Sequence, residues 1–198
     1  MANTTGNKTA GDMEYCGVNH VALVCRDMAE TVAFYDGVLG MKLVKTIDLP
    51  NGRGQHFFFD CGRGSTVAFF WFPNAPKVAP GIASMHPDYL KVGSQTAHAS
   101  MNHLAISIPL EKFDEYADRL KAHGVELRIL SHNDGPVHSS PDISEDTWIR
   151  SMYFRDPNGI HMELAALTRP YTDKDVRHDP LNAKGERVPL KGRTPVPA

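Results

Sequence analysis

The sequence predicts an α+β fold of two repeated βαβββ modules in a curved, mixed sheet, and three observations predict it. A short segment recurs: Val18-Asn19-His20-Val21-Ala22-Leu23 is echoed by Met101-Asn102-His103-Leu104-Ala105-Ile106, with Asn-His and Ala in the same places. Each copy is followed by one helical pattern and then by three strand-like runs. A Gly-containing turn joins the last two runs of each half: Asp60-Cys61-Gly62-Arg63-Gly64 in the first and Asp156-Pro157-Asn158-Gly159 in the second.

The elements follow in order. Residues 18–23 are rich in Val and Leu, which suits a strand with a covered face. Asp27 followed by Glu30 fits a capping box, Phe34, Val38 and Leu39 share a helical face, and Gly40 suits the stop. Strands are expected at 41–49, 56–60 and 66–72. The second copy, 101–106, leads into a helix over 111–123, where Phe113, Tyr116, Ala117 and Leu120 recur at helical spacing before Gly124. Strands are then expected at 125–130, 149–154 and 160–167. A single domain therefore spans 14–167, with one module at about 16–72 and the other at about 100–167.

Outside the repeat, residues 1–13 read as disordered and 168–198 as an extended arm scattered with prolines. The connections at 73–100 and 131–147 are long enough to be binding loops or lids. With 198 residues, 41% hydrophobic and 22% charged, the chain has the makings of one soluble core. Its 21 Lys and Arg against 23 Asp and Glu give a net charge of −2 with no basic stripe, which excludes a nucleic-acid partner. A polar amino terminus and the lack of any long apolar stretch predict a cytoplasmic protein that neither spans nor binds a membrane. Cys16, Cys25 and Cys61 follow no metal-ligand spacing and read as reduced and mostly buried. A small-molecule ligand and a homo-oligomer are expected.

Three side chains stand out as metal ligands. His20 and His103 are repeat-related and meet if the modules curl toward a shared cavity. Glu163, in His161-Met162-Glu163-Leu164-Ala165, is a carboxylate inside an apolar strand, where an unpaired charge is costly. Arg150, Arg155 or Arg169 offers it an ordinary salt bridge instead. His161 shares its face of the strand and is a supporting residue or a rival ligand. Two imidazoles and a carboxylate leave open positions for substrate on Fe(II), and zinc with water could use the same groups. The matching strand of the first half, 66–72, offers no fourth ligand.

This pattern resembles the vicinal oxygen chelate superfamily, whose members pair βαβββ modules around a metal. The resemblance covers about 16–167. Within it, Met152-Tyr153-Phe154-Arg155-Asp156-Pro157-Asn158-Gly159-Ile160-His161-Met162-Glu163 is similar to the signature of type I extradiol dioxygenases. The resemblance implies Fe(II) on His20, His103 and Glu163, with Mn(II), Zn(II) or Ni(II) as alternatives, and Tyr153 hydrogen-bonding a small aromatic substrate that reacts with dioxygen. One element departs: where the signature places a His before the aromatic pair, this chain has Ser144-Glu145-Asp146-Thr147. His138 is the candidate acid/base imidazole in its stead, with His86 and His98 as others. Other members of the superfamily imply a metal-dependent isomerase, epimerase or lyase, or a resistance protein that sequesters its ligand.

Overall fold

The repeated His opens β1 (His20–Cys25), and β5 (Leu104–Ser107) begins one residue after His103. The structure is a computed structural model that describes residues 16–79, 84–88, 91, 96–176 and 178–189. The segment expected to be disordered, 1–13, and the end of the arm, 190–198, lie outside the described residues. Asp27 caps α1 (Met28–Val32), its carboxylate accepting from the Glu30 amide at 3.0 Å and so satisfying a free N–H of the first turn. The helix widens into π-type turns over Ala33–Val38 and ends at Gly40, whose φ of 72° suits a helix terminus. β2 (Leu43–Leu49), β3 (Gly54–Gly62) and β4 (Ser65–Trp71) form an antiparallel meander, and β1 joins it in parallel beside β4, giving the order β1-β4-β3-β2.

The second half repeats the plan. A 3₁₀ turn at Leu110–Lys112 leads into α2 (Phe113–Ala122). β6 (Arg128–Asn133), the short β7 (Ser139–Ser140), β8 (Thr147–Arg155) and β9 (His161–Leu167) complete a sheet of order β5-β9-β8-β6-β7. Both halves are thus the expected βαβββ modules, in two separate sheets. The largest boundary difference is β6, expected at 125–130. The Val125 amide still closes the end of α2 on Leu120, so the strand starts three residues later and runs on through His132.

Strand alternation then divides each sheet into two faces. One face of the first sheet gives Phe59, Val67 and Phe69, and one face of the second gives Met152, Phe154, Met162 and Leu164. These join Tyr35, Phe113, Ala117 and Leu120 of the helical segments in a single buried cluster. Each of the Val, Leu, Phe and Met side chains contributes about 1.5–3 kcal/mol by leaving water. A polar lock reinforces the joint: the Tyr35 hydroxyl donates to Asp156 Oδ2 at 3.2 Å, and the Arg26 amide donates to Asn158 Oδ1 at 2.9 Å. Because the covered faces share one core, the remaining faces look outward from it. The two sheets therefore do not curl toward one cavity within the chain. Among the cysteines, Cys25 is buried, Cys61 is intermediate and Cys16 is exposed, so the expectation of mostly buried thiols fails at Cys16. Among the described residues no helix is long and apolar enough to cross a membrane.

Candidate metal centre

His103, Glu163 and Tyr153 meet on the outer face of the second sheet. The register explains why: Ala105 pairs with Glu163, Glu163 with Tyr153, and Tyr153 with Arg128, so one row of side chains crosses β5, β9, β8 and β6. His103 precedes β5 and leans over this row past the small Ala105, placing its Nε2 2.9 Å from Glu163 Oε2. The Asn102 carboxamide oxygen lies 2.8 Å from His103 Nδ1 and holds the ring so that Nε2 faces the carboxylate, donating to it where it carries a proton and offering a lone pair where it does not. Ser151 donates to the other carboxylate oxygen, Glu163 Oε1, at 2.5 Å. Glu163 is only 4% exposed. Burial pushes its carboxyl up, but hydrogen bonds from His103 and Ser151 outweigh this, and the group stays below the usual value.

An imidazole lone pair beside a carboxylate oxygen, each fixed from behind, is the donor set of a divalent transition metal. Two ligands at about 2.1 Å and a right angle lie about 3 Å apart, which the observed separation matches. The residues therefore fit the metal that the sequence suggests. Arg150, Arg155 and Arg169 do not take the carboxylate instead: Arg150 pairs with Asp114, Arg155 donates to the Met85 and Gly159 carbonyls, and Arg169 pairs with Asp134 and Asp175.

His20 is not part of this group. It is exposed on the outer face of the first sheet, its ring edge-on to Phe58 at 5.8 Å. Its Nδ1 lies 2.7 Å from the Asn19 carboxamide oxygen, the arrangement seen at Asn102 and His103. Among the described residues no three His, Cys, Asp or Glu stand close enough to hold a metal. His161 sits beside the pair, 4% exposed, and is pushed down to about 4 by burial and then by the charges of Arg155 and His103.

His138 lies elsewhere. It is exposed at the β6–β7 turn, where its carbonyl accepts from the Asn133 amide. The imidazole that reaches the site is His132, which the sequence reading placed in a loop. Its Nε2 lies 2.9 Å from the Tyr153 hydroxyl. Burial lowers its proton affinity against the opposing charge of Glu163, so the neutral ring is favoured. Tyr153 is pushed up to about 12 by burial and then by Glu163, so it remains a phenol that can donate. The missed signal was parity, since His132 stands two and four residues beyond Leu130 and Arg128 on one strand face.

A family model described as the Glyoxalase/Bleomycin resistance protein/Dioxygenase superfamily matches residues 17–164. The chain belongs to this superfamily. The fosfomycin resistance protein FosX of Listeria monocytogenes is 24% identical over 152 residues, covering 77% of this chain and 90% of the relative. Two solved structures share the superfamily fold. The glyoxalase family protein from Enterococcus faecalis has a TM-score of 0.55 at 20% identity, covering 77% of this chain and 99% of that one. FosX from Mesorhizobium loti has a TM-score of 0.51 at 22% identity, covering 83% and 100%. These matches establish the superfamily and not its extradiol branch.

Two cavities lie away from the His103–Glu163 pair. One of about 730 Å³ is lined by Arg26, Asp48, Gln55 and Trp71, and one of about 300 Å³ by Met41, Cys61, Ile108 and Tyr116.

Proposed function

We propose that the protein is a metal-dependent enzyme whose site is completed by a second copy of the chain, His103 and Glu163 of one copy facing His20 of the other. The observation that carries this reading is the matched pair of Asn-anchored imidazoles on outward faces of one chain. Each has its Nδ1 held by the preceding Asn, and only one has the carboxylate beside it. β1 and β5 are both edge strands, so the sheets offer unpaired borders next to these ligands. A two-fold pair of chains then makes two equivalent sites.

A divalent ion held there supplies Lewis-acid polarisation of substrate oxygens. The chain's own residues do the rest. Tyr153 donates a hydrogen bond to the bound substrate, and neutral His132 behind it takes up or returns a proton through the phenol at 2.9 Å. Glu163 stays ionised and Ser151 holds its orientation. Such a site suits a non-oxidative proton transfer or addition at an oxygen-bearing carbon, as in a metal-dependent isomerase, epimerase or lyase. Likeness to a fosfomycin resistance protein supports a small-molecule substrate.

A second reading, extradiol-type ring cleavage on Fe(II) with dioxygen, is favoured by His132, which supplies beside Tyr153 the imidazole missing from the signature segment. Oxygen uptake by Fe(II)-loaded protein with catechols, against anaerobic turnover with Mn(II), Ni(II) or Zn(II), separates the two. The shared site is tested by mixing. His20→Ala and Glu163→Ala proteins each bind no metal, whereas each mixed pair in their mixture regains one of its two sites, because that site then has all three ligands. Failure of the mixture to bind metal, with mixed pairs shown to form, overturns the two-chain site.

A further inference from the structure

The carboxyl-terminal arm packs against the second sheet at the end where His132 lies. It leaves β9 at Thr168, whose amide donates to the Trp148 carbonyl at 3.2 Å and whose hydroxyl donates to the Thr147 carbonyl. Arg169 then ties it down: its guanidinium donates to Asp134 of the β6–β7 turn at 2.6 Å and to both oxygens of Asp175 at 2.5 and 3.0 Å. Thr172 and Asp175 form a capping box, which closes this part of the arm into a tight loop. Between these anchors the Tyr171 ring rests on Trp148, with 5.9 Å between centroids.

Strict alternation along β8 would set Trp148 on the core face with Met152 and Phe154. A β-bulge reverses it. His132 pairs with Ile149 but Asn133 with Thr147, so Trp148 is the extra residue, and its indole comes out beside His132 with 6.2 Å between rings. The His132 ring in turn stands 6.2 Å from that of Tyr153, its Nε2 2.9 Å from the phenol oxygen. A continuous file of rings thus runs Tyr171, Trp148, His132, Tyr153, every step within the range of favourable aromatic contact.

We propose that Trp148 and Tyr171 are positioning residues, through which the arm holds the His132 ring against the Tyr153 hydroxyl. The outer torsion of a histidine side chain is broad, so the ring keeps one orientation only where a neighbour packs its flank. The bulge and the Arg169 anchor supply that neighbour. This rests on the proposed function for the proton step in which His132 takes part, but not for the holding of its ring.

The test reads the ring itself, by nitrogen NMR of histidine-labelled full-length protein, metal-free and Zn(II)-loaded, at a pH where His132 is neutral; His132→Gln assigns the signal. A ring fixed on the phenol keeps one tautomer, and a loosened ring mixes two. Wild type should show one. Tyr171→Ala and Trp148→Leu should each raise the minor tautomer about 2–10-fold, as the loss of one ring contact allows, whereas Tyr171→Phe and Trp148→Phe should keep the single form. Tyr171 is 59% exposed, so its removal leaves the domain folded and its effect is read on His132 alone. The proposal is overturned if wild-type His132 already mixes tautomers, or if Tyr171→Ala or Trp148→Leu leaves the His132 signal as in wild type, whatever it does to stability. If Zn(II) does not bind while the metal-free protein responds to both variants, the positioning role stands and the metal reading falls.

Discussion

The two modules share a fold but differ at matched positions of their outer faces. Register aligns His20 with His103, and then Ala68 with Glu163, Phe58 with Tyr153, His56 with Ser151 and Thr66 with His161. The second module carries the carboxylate, the phenol and the hydroxyl that orient one another. The first keeps its imidazole and surrounds it with rings, His56 stacking on Phe70 at 3.6 Å and Phe70 on Phe72 at 5.3 Å. On the proposed reading, duplication has ended in a division of labour: one half supplies charge and proton transfer, the other a ligand set in an apolar wall. The turns differ in the same way. Asp156 is 5% exposed and accepts from the Asn158 and Ile160 amides, the Asn158 carboxamide and Tyr35. Asp60, its counterpart, is exposed and accepts from the nearby Gly62 amide.

The sharpest break of this comparison is at the ligands. Glu163→Gln should lower metal affinity more than about 100-fold, beyond the loss typical of residues that only orient a ligand, while circular dichroism stays native. His20→Ala should do the same from the other half. Retained Mn(II) binding in Glu163→Gln would transfer the ligand role to His161.

Next come the turns. Asp156→Ala leaves buried donors without a partner and should cost about 2–3 kcal/mol, whereas Asp60→Ala should cost less than about 0.5 kcal/mol by chemical denaturation. Burial raises the Asp156 carboxyl above its ordinary value, against the opposing hydrogen bonds from Asn158, Ile160 and Tyr35. Its contribution is therefore full below the ordinary carboxyl range and falls as pH rises through the raised value. Asp156→Asn should flatten that part of the stability profile, and an unchanged profile would reject the assignment.

The smallest effect separates Ser151 from His56. Ser151→Ala removes the 2.5 Å hydrogen bond to Glu163 and should weaken metal binding about tenfold, whereas His56→Ala, at the matched position, should leave it unchanged. Equal losses would mean that both outer faces hold the carboxylate in place.

Much of this was readable from the residues. The Asn-His repeat gave both modules, and a carboxylate in an apolar strand pointed to Glu163. Two things were not. His132 lies where a predicted strand passes into a predicted loop, and the continuation of β6 past residue 130 is what sets it on the face of Tyr153. The separation of His20 from His103 depends on which sheet faces bury the helices, and hydrophobic alternation shows that a face is covered without showing by what.

The outward direction of the two site-bearing faces has a consequence for how copies add. A first-module face that fits a second-module face closes on itself in a two-fold pair, where both contacts form together, but left unclosed it runs on head to tail as a filament. The angle between modules within one chain decides which. That angle is held by Tyr35, Asp156 and Asn158 at the joint. If the proposed pair forms, loosening the joint would threaten closure before chemistry, turning a closed pair into a polydisperse series whose every internal contact could still hold a metal.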